Sequence, residues 1–100
     1  MEKRILGKTG MEVSVLGFGA AEIGYEGATQ ATVDRLMQEA LDAGLNAVDT
    51  AECYLTSEEM LGQSVSHRRS EFFLFTKCGH EGTFYNPAWS KAEIKGSLER

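Results

Sequence analysis

A strand-like apolar run followed by a helix-like one, repeated three times, constrains this chain more than any other feature in its sequence. Val15-Leu16-Gly17-Phe18-Gly19-Ala20 is a short apolar run of the kind that forms a buried strand. Val33, Leu36, Met37, Ala40 and Leu41 then fall at i, i+3, i+4, i+7 and i+8, one face of an α-helix. Thr29 or Thr32 is placed to cap its start, and Gly44 stands where a left-handed residue ends a helix. Residues 45–49 follow as a second strand. Thr56-Ser57-Glu58-Glu59 opens the next helix with a capping-box pattern, both acids lying where the helix dipole favours them. Met60, Leu61 and Val65 mark its buried side. After a polar link, His67-Arg68-Arg69-Ser70, residues 71–77 read as a third strand. Their continuous aromatic and aliphatic run predicts cover on both faces. Ser90-Lys91-Ala92-Glu93 is a further capping box, opening a helix with Ile94 and Leu98 inside.

Ahead of these units, Arg4-Ile5-Leu6 and Met11-Glu12-Val13-Ser14-Val15 flank Gly7-Lys8-Thr9-Gly10, the pattern of a hairpin and its turn. The order is thus hairpin, then β, α, β, α, β, α, which means a parallel sheet with covering helices, an α/β fold. Two architectures compete, a doubly wound sheet and a (β/α)₈ barrel. In the barrel, chemistry sits at the C-terminal ends of the strands. In the doubly wound sheet it sits where the strand order reverses.

Charge and composition narrow the partners. Ten basic residues against 15 acidic ones leave a net charge of −5, which argues against a nucleic acid and its phosphate backbone. The charged opening Met1-Glu2-Lys3-Arg4 lacks the apolar centre of a signal peptide, and no run approaches a membrane span. Two cysteines, Cys53 and Cys78, are too few for a disulfide framework, so reduced thiols in a cytoplasmic protein are expected.

Three polar residues end or closely follow the proposed strands. Asp49 closes the second, Tyr54 lies in the loop behind it, and Lys77 closes the third. A phenol ordinarily titrates at about 10, too high to give up its proton readily at neutral pH. A nearby ammonium favours the phenolate, and a carboxylate behind that ammonium keeps it charged and aimed. Together they make a general acid able to protonate a developing alkoxide. Each residue also has a plainer reading. Asp49 fits a turn or cap, Tyr54 a half-buried packing residue, and Lys77 a side chain whose stem is buried while its head reaches water.

The segment Gly44-Leu45-Asn46-Ala47-Val48-Asp49-Thr50-Ala51-Glu52-Cys53-Tyr54, continuing to Ser57-Glu58 and Leu61-Gly62, resembles the signature of the aldo-keto reductases. That signature is G-x-N-x-x-D-T-A, then a tyrosine, then S-E-x-x-L-G. Residues 4–10 with residues 13–19 look like that family's N-terminal hairpin and first barrel strand. Phe75-Thr76-Lys77-Cys78-Gly79 looks like the third strand with its lysine. The resemblance implies a (β/α)₈ barrel, of which residues 1–14 would be the hairpin cap and residues 15–100 the first three β/α units. It implies an oxidoreductase that moves a hydride between NADP(H), or NAD(H), and a carbonyl or sugar substrate, with no metal. Tyr54 would be the general acid-base, Lys77 would favour its ionised form, and Asp49 would pair with Lys77 and lie near the nicotinamide ribose. Gly19, Ala20 and Ala21 would lie beside the nicotinamide, while Glu22, Ile23 and Trp89 would wall the substrate pocket.

Two departures stand out. The family's histidine at the end of the fourth strand has no counterpart, since His67 and His80 occupy other places. Many relatives have glycine directly after the tyrosine, where this chain has Leu55. A complete barrel needs at least about 200 residues, so the chain is expected to be the N-terminal portion of one and inactive alone. A non-catalytic, cofactor-binding barrel protein of the same superfamily is the competing reading.

Other motifs carry less. Gly17-Phe18-Gly19-Ala20-Ala21-Glu22 begins like a dinucleotide fingerprint but ends in Glu22. Cys53, His67, Cys78 and His80 lack the paired short spacings of a zinc site. Residues 82–89 form an aromatic-rich stretch, read as a loop over the strand ends.

Overall fold

The computed structural model describes residues 1–80 and 89–100. A hairpin comes first: β1 (Lys3–Ile5) pairs antiparallel with β2 (Glu12–Ser14), Arg4 opposite Val13. Three strands then form a parallel sheet in sequence order, β3 (Phe18–Gly19), β4 (Ala47–Asp49) and β5 (Phe73–Phe75). Between and after them run the helices α1 (Ala21–Tyr25), α2 (Gln30–Asp42), α3 (Ser57–Val65) and α4 (Lys91–Glu99). The alternating α/β order read from the sequence is therefore present. The stretch at residues 82–88 lies outside the described residues.

The helix between β3 and β4 follows its pattern closely. The Thr29 side chain accepts a hydrogen bond from the Thr32 amide at 3.2 Å, with Thr29 extended as an N-cap must be. At the other end Gly44 takes φ +93°, a left-handed conformation costly for any side chain with a Cβ. Val33 and Met37 are wholly buried and Leu41 nearly so. They pack with Ile23, Leu45, Val48, Leu61, Val65 and Phe72 into one core between α2, α3 and the sheet. Each large side chain removed from water in this way contributes roughly 1.5–3 kcal/mol. Leu36, on the same face by sequence spacing, is 43% exposed at the edge of that contact.

Asn46 welds the hairpin to the sheet. Its side chain accepts from the Ser14 amide at 2.7 Å and donates to the Glu12 carbonyl at 2.9 Å, while its own amide donates to the Ser14 hydroxyl at 2.9 Å. Buried polar groups persist only when paired in this way.

Several expectations are corrected. The strand expected at residues 15–20 shrinks to Phe18–Gly19, and Val15 and Leu16 are 55% and 60% exposed. After Ser14 the backbone bends, the Ser14 hydroxyl donating to the Leu16 carbonyl at 2.6 Å, and the Val15 amide bonds back to the hairpin at the Glu2 carbonyl (3.0 Å) instead of joining the parallel sheet. The five-residue helix α1 follows at once, where no helix was expected. Thr56 precedes α3 without forming its capping box. Its backbone (φ −88°, ψ 3°) is not extended, and its hydroxyl faces the Met60 sulfur instead. Ser66–Glu71 is a kinked 3₁₀ segment, in which Arg68 pairs with Glu71 and Asp42. On β5, Leu74 is 40% exposed, because among the described residues little covers that side of the strand. The capping box at Ser90 and Glu93 is formed, yet Ile94 and Leu98 are exposed, and among the described residues polar contacts from Ser97 and Arg100 to Gly79 and Glu52 tie α4 to the sheet end. Among the described residues no helix is long and apolar enough to cross a membrane.

Candidate active site

Parallel strands bring their C-terminal ends to one rim. Gly19 stands opposite Asp49, and Asp49 opposite Phe75. Backbone bonds extend the ladder past the strands. The Ala20 amide donates to the Asp49 carbonyl at 2.9 Å, Thr50 to Phe75 at 2.8 Å, and Glu52 to Lys77 at 3.1 Å. Asp49, Tyr54 and Lys77 therefore meet at one edge of the sheet although they are distant in sequence.

The Lys77 ammonium donates to both Asp49 oxygens, at 3.0 and 2.8 Å, and to the Thr50 carbonyl at 2.9 Å. These bonds to Asp49 hold the lysine pKa above its ordinary value. Partial burial opposes that shift, while the Asp49 charge and contact with Tyr54 reinforce it. The same ammonium lies 5.3 Å from the centre of the Tyr54 ring, within cation–π range.

Tyr54 sits in a tight, irregular loop. Its amide donates to the Ala51 carbonyl at 3.1 Å, and its carbonyl accepts from the Ser57 amide at 3.0 Å. Leu55, directly after Tyr54, is left-handed with φ +52°. A buried hydroxyl pair ties the loop to the sheet. Ser57 Oγ donates to the Ala20 carbonyl at 2.8 Å and lies 2.8 Å from Thr50 Oγ1, with all three residues almost wholly inaccessible. From the other side α1 closes on the loop. A Cβ on Gly24 would stand 2.0 Å from the Tyr54 carbonyl oxygen, so only glycine allows this approach. The Tyr25 hydroxyl donates to the Cys53 carbonyl at 2.9 Å. Its ring meets the Tyr54 ring edge-on, 5.8 Å between centres. Burial first, then the Cys53 contacts, raise the Tyr25 phenol above its ordinary range and keep it a donor.

Sequence reasoning missed Ser57, Gly24 and Tyr25. Ser57 lay within the quoted motif, but its sequence spacing does not show that it bridges β3 and β4. Gly24 and Tyr25 sit in a stretch too short for helical periodicity to register.

The remaining expected site residues divide. Gly19 is exposed at the tip of β3, with nothing within 4 Å of where a Cβ would stand. Ala20 is fully buried behind it, Ala21 half-buried, and Glu22 exposed in the first turn of α1. Ile23 is 7% exposed and packs into the apolar core, so its side chain is spent on the fold and not on a pocket wall. Trp89 is 67% exposed, its ring 5.1 Å from that of the buried His80. Trp89 and His80 share with Cys53, Tyr54, Lys77 and Cys78 a cavity of about 130 Å³. The cleft bears a phenol, a charged lysine and an aromatic wall.

The profile of the aldo/keto reductase family matches residues 15–100. Along its whole length the chain is 33% identical to the uncharacterized oxidoreductase YqkF of Bacillus subtilis (strain 168), covering 35% of that protein. It is 37% identical, again over its whole length, to L-galactose dehydrogenase of Arabidopsis thaliana, covering 34% of it. The chain thus spans about a third of the length of the curated relatives it matches. Among solved structures, the holo form of aldo-keto reductase AKR11C1 from Bacillus halodurans superposes with a TM-score of 0.80 at 34% identity, over 99% of this chain and 34% of that one. A Pseudomonas aeruginosa structure described as an aldo-keto reductase superposes with a TM-score of 0.84 at 32% identity, over 97% and 39%.

Proposed function

The chain belongs to the aldo/keto reductase family, and we propose that it supplies the acid-base half of a nicotinamide-dependent carbonyl reductase. In this reading residues 1–14 cap a (β/α)₈ barrel and residues 15–100 form its first three β/α units. Tyr54 is the general acid toward the carbonyl oxygen, and the Lys77 ammonium stands against its ring. Asp49 keeps Lys77 charged and directed. The observation that carries the reading is the Lys77 ammonium, held by both Asp49 oxygens and lying 5.3 Å from the Tyr54 ring centre.

A bound reduced nicotinamide, NADPH in this proposal, supplies a hydride to the carbonyl carbon. The residues present fit such a group. The backbone at Gly19 is open enough for a flat ring to lie against it, and the half-exposed Asp49 carboxylate on the next strand offers an acceptor for ribose hydroxyls. Gly19, Ala20 and Ala21 would line that position. Glu22 and Trp89 would border the substrate, a small carbonyl compound or a sugar. The L-galactose dehydrogenase relative favours a sugar.

The test is Tyr54→Phe in the whole protein. Because a positioned acid contributes about 10²–10⁴-fold, reduction of an aldehyde panel should fall by that factor while NADPH still binds. Undiminished turnover would remove Tyr54 from the role. A wild-type protein that binds NADPH and never consumes it would establish a non-catalytic barrel instead.

A further inference from the structure

We propose that Tyr25 is a positioning residue for Tyr54, fixing the direction of the Tyr54 ring on the rim it shares with Lys77. The proposal rests on Tyr54 being the general acid, and its test separates the two ideas.

A side chain in a loop has little to fix its aim, and misplacement of an acid by about 1 Å can cost on the order of 10²-fold in rate. Tyr54 lies in such a loop, between β4 and α3, and the next residue, Leu55, is left-handed. Two successive residues of α1 grip two successive residues of this loop. The Tyr25 hydroxyl donates to the Cys53 carbonyl at 2.9 Å, anchoring the backbone one residue before Tyr54. Gly24 packs directly on the Tyr54 carbonyl, where no larger residue fits. The Tyr25 ring then sets its plane 61° from that of Tyr54, an edge-on contact that resists rotation about the Tyr54 side-chain bonds. With Lys77 Nζ also 5.3 Å from the same ring, the Tyr54 ring is contacted both by an aromatic edge and by an ammonium. Helix α1 has five residues and buries only Ile23 and Gly24. Ile23 joins the apolar core, and Gly24 and Tyr25 face the Tyr54 loop.

The experiment compares wild type, Tyr25→Phe, Gly24→Ala and Tyr54→Phe in the whole protein, reading kcat, KM, cofactor affinity and the isotope effect with C4-deuterated cofactor. Tyr25→Phe keeps the ring and removes the anchor. It should lower kcat about tenfold through loss of alignment, leave cofactor affinity within about twofold, and raise the isotope effect as the hydride step becomes slower. Gly24→Ala, whose Cβ would collide with the Tyr54 carbonyl, should lower the melting temperature as well as kcat, so Tyr25→Phe decides the question. Two results would overturn the proposal: Tyr25→Phe with wild-type kcat and isotope effect, or kcat, cofactor affinity and melting temperature all lost together, which would mean a packing role only. If Tyr54→Phe stays active, the acid assignment itself fails. Inactive Tyr54→Phe beside unaffected Tyr25→Phe overturns the positioning alone.

Discussion

The Lys77 ammonium lies 5.3 Å from the centre of the Tyr54 ring, joining the end of β5 to the loop that follows β4. Asp49 holds that ammonium with both carboxylate oxygens, so charge, phenol and carboxylate form one contiguous unit.

Asp49→Asn should narrow the alkaline side of activity. Hydrogen bonding to Asp49 raises the Lys77 pKa, so the coupling is fully present below the ordinary lysine value of 10.5 and is lost as pH rises through the raised one. Without the carboxylate, Lys77 gives up its proton at lower pH, and the alkaline limb of a kcat profile should move down. A profile superimposable on wild type would show that Asp49 does not govern the lysine.

Ser57→Ala should destabilise the protein by about 1–3 kcal/mol, the cost of leaving a buried acceptor unpaired. The lost hydroxyl serves the Ala20 carbonyl and Thr50 Oγ1, both sealed from water. Urea unfolding measures the change, and a shift within error would mean that water replaces the hydroxyl.

Leu55→Gly should stabilise the fold. A left-handed side chain costs roughly 1–2 kcal/mol, and the extra freedom of unfolded glycine returns about half of that. Leu55 is 57% exposed, so little packing is lost. A rise in melting temperature with unchanged activity is the expected outcome, and a fall would place the Leu55 side chain in an unseen contact.

Acid should loosen α4 first. Glu52 accepts from Ser97 Oγ at 2.5 Å and pairs with Arg100. The Ser97 bond chiefly, aided by Arg100 and opposed by burial, lowers its pKa. A lowered carboxylate stabilises the fold above its ordinary value of 4.5, and that stability is lost as pH falls through the lowered one. Hydrogen exchange in α4 should accelerate below that pH, and Glu52→Gln should flatten the dependence. Equal acid sensitivity in the variant would assign the effect elsewhere.

Much of this was legible in the residues. The period of Val33, Met37 and Leu41 marked α2 because a helix must bury one stripe. Asp49 could be placed at a strand end because its apolar run stops where β4 does, whereas the third strand, expected to run to Lys77, ends at Phe75 and leaves Lys77 two residues beyond it. The same reasoning misjudged Val15, Leu16 and Ile94, since apolar character states that a residue can be buried and not that a partner stands beside it. Thr56 matched a capping box in letters, but its backbone angles turned the hydroxyl away.

Local sequence by itself determined the alternation of strands and helices, the caps at Thr29 and Ser90, and the residue types available for proton chemistry, because propensity and periodicity act over a few residues at a time. Only the tertiary structure decided that Tyr54 stands beside Lys77, that Ser57 bridges to Ala20, and that Gly24 and Tyr25 close on the Tyr54 loop. Each of those contacts joins segments that meet through parallel strand register and helix packing, and no window of sequence contains both partners' positions in space.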